Sequence, residues 1–374
     1  PRSTPKPSSA ASDVYKRQES KLDYSEQGSL HLLYKNDYQK FIEYNIKDVE
    51  LVEQLEGKMK LLEMVVSLAY LSKVNYQNTF GQVRMWDSLI YNNLLRKNIV
   101  IPPKTTSHKS SQFEGAYVKD PILGSHNWVV NFDLNSLYPH LIMQYNLSPE
   151  TLITDELPSE LQEIKDAKPG VEGLLDQNID LESLKKYKLT YTPNNEFYQI
   201  GKQGFLPEMM QQIYDDRVKF KGMMIDVKKK LQKEKDFNER KELQKLISKY
   251  HNMQLNLKIT LNSAFGAMGN QHFRFFDQRV AEAITTSGQL SIKWIEKEIN
   301  RYLNELLKTD EDYVVAVDTD SVYITMDKLV QSVYGDKEVD KTKVIDFLDK
   351  VCSCLLYTSD AADEGLGVDL GGRR

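Results

Sequence analysis

Along residues 38–73, apolar positions recur at helical spacing. Phe41, Ile42, Ile46, Val49, Val52 and Leu55 lie one to four residues apart, and the nearly apolar Leu61–Leu71 follows. The pattern predicts helix throughout this stretch. A polar, proline-containing linker is expected from Ile101-Pro102-Pro103 through Ser111. Tyr117–Val118 and Trp128–Asp133 read as strands, the second a nearly apolar run that ends in its carboxylate. Residues 155–186 are acidic and without clear periodicity, which suggests an irregular surface insertion. Pro207 opens a helical pattern that runs to about Lys235, and Lys235–Asn238 turns it into a second helix ending near Gly266. Val314–Val317 and Val322–Met326 are apolar runs on either side of Asp318-Thr319-Asp320-Ser321, the pattern of a β-hairpin with carboxylates at its turn. No internal repeat is evident.

The length of 374 residues suggests two or three domains and suffices to bury a core. Charged residues at 28% and aromatics at 10% mark a folded chain rather than a disordered one. Leu61–Leu71 is broken by Glu63 and Ser67 and is far shorter than the roughly 20 residues a bilayer needs, so no membrane span is expected. Two cysteines, Cys352 and Cys354, are too few for a disulfide framework and fit a reducing, cytoplasmic compartment. The net charge of −5 argues against uniform coating of nucleic acid and leaves room for a local basic groove. Such a concentration exists. Between Arg217 and Lys249 there are 12 basic and 5 acidic residues. Helical charge of this kind is either a solvated face or a site for an anionic ligand.

The two ends read as foreign to the fold. Back-translated, Asp13–Gln18 and the segment beginning Cys354-Leu355-Leu356-Tyr357-Thr358 arise from one short DNA element read on opposite strands. The element resembles a transposase end used in preparing sequencing libraries. Residues 1–18 and 354–374 are therefore expected to be translated adaptor, and the native portion to be a fragment, roughly Glu19–Ser353.

Chemistry concentrates at the strand ends. Asp133 closes one apolar strand, and Asp318 and Asp320 flank a tight turn between two others. Carboxylates there are costly unless compensated, and a divalent cation compensates well. Mg²⁺ takes hard oxygen ligands, few of them from protein, and two ions about 3.5–4 Å apart can serve an in-line phosphoryl displacement. Asp is also common in turns for local reasons, so Asp318-Thr319-Asp320-Ser321 alone fits both readings. Arg217 and Lys221 share a helix face, as do Lys258 and Asn262, and two such helices can offer a guanidinium fork and two ammonium groups to a triphosphate.

In combination these residues resemble family B DNA polymerases, in particular the replicative polymerases of T-even-like tailed phages. Asp133-Leu134-Asn135-Ser136-Leu137-Tyr138-Pro139 matches the family's first palm motif. Lys258-Ile259-Thr260-Leu261-Asn262-Ser263-Ala264-Phe265-Gly266 matches the fingers motif, with Phe265 where Tyr is usual. Asp318-Thr319-Asp320-Ser321 matches the second palm motif, with Val317 where Gly commonly precedes it. Phe113-Glu114-Gly115-Ala116 is similar to the linker motif between the exonuclease and polymerase regions. Tyr44-Asn45-Ile46-Lys47-Asp48 is similar to the third motif of the 3′→5′ exonuclease.

The resemblance implies an α+β fold: a palm with an antiparallel sheet, a two-helix fingers insertion, and the C-terminal remnant of an exonuclease domain. It implies exonuclease remnant and linker over 19–110, palm over 111–206 and 270–353, and fingers over 207–269. Asp133, Asp318 and Asp320 would be catalytic, with Asp133, Asp320 and the Leu134 carbonyl holding two Mg²⁺ ions, Mn²⁺ being a possible substitute. Ser136, Leu137, Tyr138, Arg217, Lys221, Lys258, Asn262 and Phe265 would bind the nucleotide, with Tyr138 beneath the deoxyribose. Tyr44 and Asp48 would belong to the exonuclease remnant. The implied partners are primer–template DNA and dNTP, with a sliding clamp for the intact parent and an infected host cell as the setting. A rival reading, a truncated nucleic-acid-binding fragment without catalytic activity, follows from the missing exonuclease motifs and thumb.

Overall fold

Residues 21–104, 113–176, 182–335 and 340–366 are described by the computed structural model. The adaptor-like segment 1–18, the linker beyond residue 104 and the last residues from 367 lie outside the described residues, as do 177–181 of the expected insertion. The chain divides into two compact units, one up to Leu71 and one from Ser72.

In the first unit, α1 (Leu30–Asn36), α2 (Tyr38–Met59) and the greater part of α3 (Leu61–Ser72) account for the helical periodicity. Asp37 caps α2 by accepting from the Lys40 amide, and Lys60 ends it in the left-handed region at φ 53°. The buried positions of α2 are Tyr44 and Leu51. Ile46, Val49 and Val52 are exposed among the described residues, at 53%, 68% and 65%. Helical spacing placed these residues on a helix correctly, but a helix with apolar side chains on two faces needs a partner for each.

The second unit carries α4 (Gln82–Arg96), strands β1 (Val118–Lys119) and β2 (Val129–Asp133), and α5 (Leu137–Gln144). Three short helices follow: α6 (Ser159–Ala167), α7 (Gly170–Leu175) and α8 (Glu182–Tyr187). The expected irregular insertion is thus largely helical where it is described. Leu161, Ile164 and Leu184 anchor it against Tyr191 and Phe197 of a hairpin formed by β3 (Leu189–Thr192) and β4 (Glu196–Gln199). Three apolar anchors spread through an acidic stretch were too sparse to show a period.

Two long helices, α9 (Phe205–Lys233) and α10 (Phe237–Met268), form an antiparallel pair joined by three residues. Asp236 caps α10 at the Glu239 amide. The long α11 (Gln278–Leu307) comes next. It is followed by β5 (Val314–Asp318) and β6 (Ser321–Thr325), then α12 (Asp327–Tyr334) and α13 (Lys341–Leu366).

The main sheet is antiparallel with order β1-β5-β6-β2. The last strands in sequence are therefore central, and the earlier pair occupies the edges. Val314, Val317, Val322 and Ile324 bury one face of β5 and β6 against Ile292, Ile299 and Leu303 of α11. A second core gathers Trp86 and Ile90 of α4, Ile142 of α5, Met209 and Met210 of α9, Leu261 and Ala264 of α10, and Ile284 of α11. It fixes the base of the helical pair to the helices behind the sheet.

Candidate active site

Two chain reversals bring the carboxylates together. Antiparallel pairing sets Asp133, the last residue of β2, opposite Ser321, the first of β6. Asp318 pairs with the same Ser321 across the hairpin. The Ser321 hydroxyl donates to Asp133 Oδ2 at 3.2 Å, joining residues 188 apart in sequence. One residue on, the Leu134 amide donates to the Asp320 carbonyl at 2.8 Å.

The hairpin turn is tight. The Asp320 amide donates to the Asp318 carbonyl at 2.6 Å, a three-residue turn with Thr319 at its centre and φ 58°. Left-handed backbone is strained for a β-branched residue. The Thr319 amide donates to the Tyr117 carbonyl, and its hydroxyl to Asp318 Oδ1, which holds the turn from both sides. Ser136, where the chain leaves β2 for α5, is also left-handed, at φ 59°. Strain flanks the carboxylates on both chain segments, as is common where geometry serves chemistry.

The sequence suggested a general cost of burial for these carboxylates. In the structure that cost falls on one of them. Asp133 and Asp318 are exposed, whereas Asp320 is half-buried. Burial first, then the negative charge of Asp133, with Asp318 adding less, lifts the Asp320 carboxyl above the usual range. Two neighbouring carboxylates and a backbone carbonyl offer only hard oxygen, the donor set that suits Mg²⁺. Among the described residues no group of three His, Cys, Asp or Glu side chains is arranged to hold a metal. Two protein carboxylates completed by water and substrate phosphate are enough for Mg²⁺, so the donors present fit that ion.

Tyr138, the second residue of α5, stands beside this cluster. Burial and the charge of Asp320 push its phenol upward. Its ring meets Phe265 of α10 at 4.9 Å between centroids. The ring also lies against Gly288 of α11, where a Cβ would come to 3.0 Å from it. Leu137, its neighbour, is buried in the helix.

On the helical pair, Arg217 is buried, at 8% exposure, and its Nη1 donates to the Ser136 hydroxyl at 3.2 Å. Its Nε is buried without a hydrogen-bond partner. The guanidinium thus ties α9 to the strained start of α5. Lys221, Lys258 and Asn262 are exposed. Phe220 of α9 stacks on Tyr250 of α10 at 6.2 Å.

The pair Tyr44 and Asp48 falls in the first unit. Lys21 Nζ bonds Asp48 at 3.2 Å and approaches the Tyr44 hydroxyl at 3.5 Å. These contacts raise the Lys21 ammonium against a desolvation that lowers it.

Several residues that shape the site carried no signal in the sequence. Trp86 Nε1 donates to the Ser263 hydroxyl at 3.1 Å inside the core, and Ser263 donates onward to the Thr260 carbonyl. Gln82 packs on Gly266, where a Cβ would overlap its Oε1 at 2.0 Å. Asp87 pairs with Arg274 at 2.8 Å, and Arg274 also donates to the Pro102 carbonyl. Gln82 and Trp86 of α4 therefore grip the base of α10, and Asp87 holds the loop that follows it. Only a helical amphipathic pattern over 82–96 could have hinted at this.

Comparison with known proteins bears on this arrangement. The family described as DNA polymerase family B matches residues 75–338. The DNA-directed DNA polymerase of Escherichia phage RB69 is 32% identical over 88% of this chain and 39% of its own length. That of Enterobacteria phage T4 is 30% identical with the same coverage. DNA polymerase 1 of Sulfolobus acidocaldarius is 29% identical over 82% of this chain and 33% of its own length. The chain thus spans about two fifths of the phage relatives it matches. Among solved structures, the family B DNA polymerase of Pyrobaculum calidifontis covers 90% of this chain and 40% of its own, with a TM-score of 0.56 at 19% identity, a likeness of fold. The match spans both carboxylate-bearing strands and the helical pair between them, and the chain belongs to DNA polymerase family B.

Proposed function

We propose that this chain carries the nucleotidyl-transfer centre of a DNA-directed DNA polymerase. The observation that carries the reading is the convergence of Asp133 with the strained Asp318-Thr319-Asp320 turn, across 188 residues. On this reading the sheet is the palm, the α9–α10 pair the fingers, and Tyr44 with Asp48 the remnant of an exonuclease site. The substrates are a primer–template DNA and a dNTP. The primer 3′-hydroxyl gives its proton to solvent as its oxygen bonds to the α-phosphorus, while the bond from that phosphorus to the oxygen bridging it to the β-phosphate breaks and pyrophosphate leaves.

Asp133, Asp320 and the Leu134 carbonyl would hold two Mg²⁺ ions, or Mn²⁺ in their place, which when bound neutralise charge on the attacking and leaving oxygens. Asp318 contributes at one remove through its charge on Asp320. Lys221, Lys258 and Asn262 would meet the triphosphate from exposed helix faces. Arg217, held by Ser136, would present its fork from a buried position. Tyr138, wedged between Phe265 and Gly288, would form a wall under the sugar, with Leu137 behind it. Most of the rate then comes from positioning and charge. A sliding clamp belongs to the intact parent, and the interior of an infected host cell is the setting.

Primer extension on a primed template with dNTPs and Mg²⁺, beside Asp320→Ala, tests the reading. Extension by the unmodified chain alone is expected. Equal extension by both would remove Asp320 from the site. Salt-sensitive DNA binding without extension, indifferent to Mg²⁺ and dNTP, would favour a binding-only fragment instead.

A further inference from the structure

Far from the carboxylates, the upper half of the α9–α10 pair opens into a groove lined by Lys230 and Lys233 on one helix and Lys241, Lys245 and Lys249 on the other. All five are exposed. Glu234, Glu239 and Glu242 also line the groove, and Lys245 is paired with Glu242 at 2.6 Å. The remaining four lysines carry no ion pair among the described residues. At the same tip, Phe237 opens α10 with 78% of its surface exposed. A large aromatic ring left in solvent one helical turn from the unpaired Lys241 has no use in the core.

Along the helix axis, Lys249 lies about 14 Å from Lys258 and Lys241 about 26 Å. No triphosphate held at Lys258 spans that distance. A polyanion that continues past the nucleotide site does. Ammonium groups tracking a phosphate backbone, with an aromatic face for an unpaired base, is the combination that binds single-stranded nucleic acid without regard to sequence. Duplex would offer the lysines phosphates but would give Phe237 no free base.

We infer that the tip of the α9–α10 pair is a second nucleic-acid site, which holds single-stranded DNA in the lysine groove with a base stacked on Phe237. The groove and the exposed ring carry it, and only the distance from Lys258 rests on the proposed function.

The test measures anisotropy of a fluorescent (dT)20 titrated with the full chain across a series of KCl concentrations. Lys230→Gln, Lys233→Gln, Lys241→Gln and Lys249→Gln are combined in one variant, and Phe237→Ala is made separately. All five positions are exposed, and circular dichroism checks each fold. The lysine variant is expected to bind at least about tenfold more weakly, with a log–log salt slope shallower by about 3. Phe237→Ala is expected to weaken binding about tenfold at every salt with the slope unchanged. Affinity for (dT)20 unaltered in the lysine variant overturns the site. So does a poly-glutamate peptide that competes as well as the oligonucleotide, which would mark a general polyanion surface. Loss of (dT)20 binding in these variants, in a chain that never extends a primer, leaves this inference standing while the catalytic reading falls.

Discussion

The carboxylate turn and the helical pair are built by opposite means. The helical pair is local: three residues join two long helices, Asp236 caps the second, and the spacing of Arg217, Lys221, Lys258 and Asn262 follows from helix geometry alone. The carboxylate site is non-local. Asp133 comes from an edge strand, Asp318 and Asp320 from a central hairpin, and their meeting depends on register between β2 and β6. A one-residue slip would turn Asp133 to the other face of the sheet. A local element can swing or drift with little loss. A non-local one must be fixed, and here the hydrogen bonds that hold the strained Thr319 turn and the buried core behind β5 and β6 fix it.

The contact between Arg217 and Ser136 is one point where the two regions touch, and it is the place to break the contrast. Arg217→Lys removes a planar fork from a buried position and leaves Ser136 without its donor. The dNTP KM is expected to rise about 10–100-fold, with a loss of about 1–3 kcal/mol in stability by denaturant titration. Lys221→Gln, one turn away and exposed, should raise KM while leaving stability within about 0.5 kcal/mol. Equal destabilisation by both substitutions would end the distinction between a buried tie and an exposed arm.

Gly288 sharpens the comparison from behind. A Cβ there presses on Tyr138, whose ring is already against Phe265. Gly288→Ala should shift the ring by a few tenths of an ångström and change dNTP KM about three- to tenfold, with kcat moved less. The same substitution in a Tyr138→Ala background should have little effect on KM. An undiminished effect there would show that Gly288 acts by another route.

The smallest effect concerns charge. Asp320 is raised in the folded chain, so the folded state binds more protons than the unfolded one as pH climbs from the ordinary Asp value of 3.8 to the raised one. Stability falls with rising pH across that window and stays reduced above it. Asp320→Asn should therefore raise Tm at neutral pH by about 1–2 °C without divalent cation, the exposure of the group keeping the figure small. Adding Mg²⁺ should raise Tm of the unmodified chain and not of the variant. A Tm of Asp320→Asn below that of the unmodified chain would mean that the carboxylate is satisfied as it stands.

How much of this was legible beforehand divides along the same line. The helical pair, the hairpin and both motif-bearing strands could be read from apolar spacing and turn residues, with ends shifted by a residue or two. The α6–α8 region could not, because Leu161, Ile164 and Leu184 are too widely spaced in an acidic stretch to form a period. Nor could the solvent-facing side of α2, where Ile46, Val49 and Val52 look like core until the burial is known. Trp86 and Gly288 gave no sign of their neighbours.

What the sequence by itself determined is the set of residue types and their local geometry: which helix face bears cations, which strand ends bear carboxylates, and which family they resemble. The tertiary structure alone decided which carboxylate would be desolvated, that Arg217 would be buried against Ser136, and that a glycine on α11 would lie against Tyr138. The reason is physical. Periodicity encodes which side of an element is apolar, whereas partner identity and register across 188 residues emerge only when those sides are packed together.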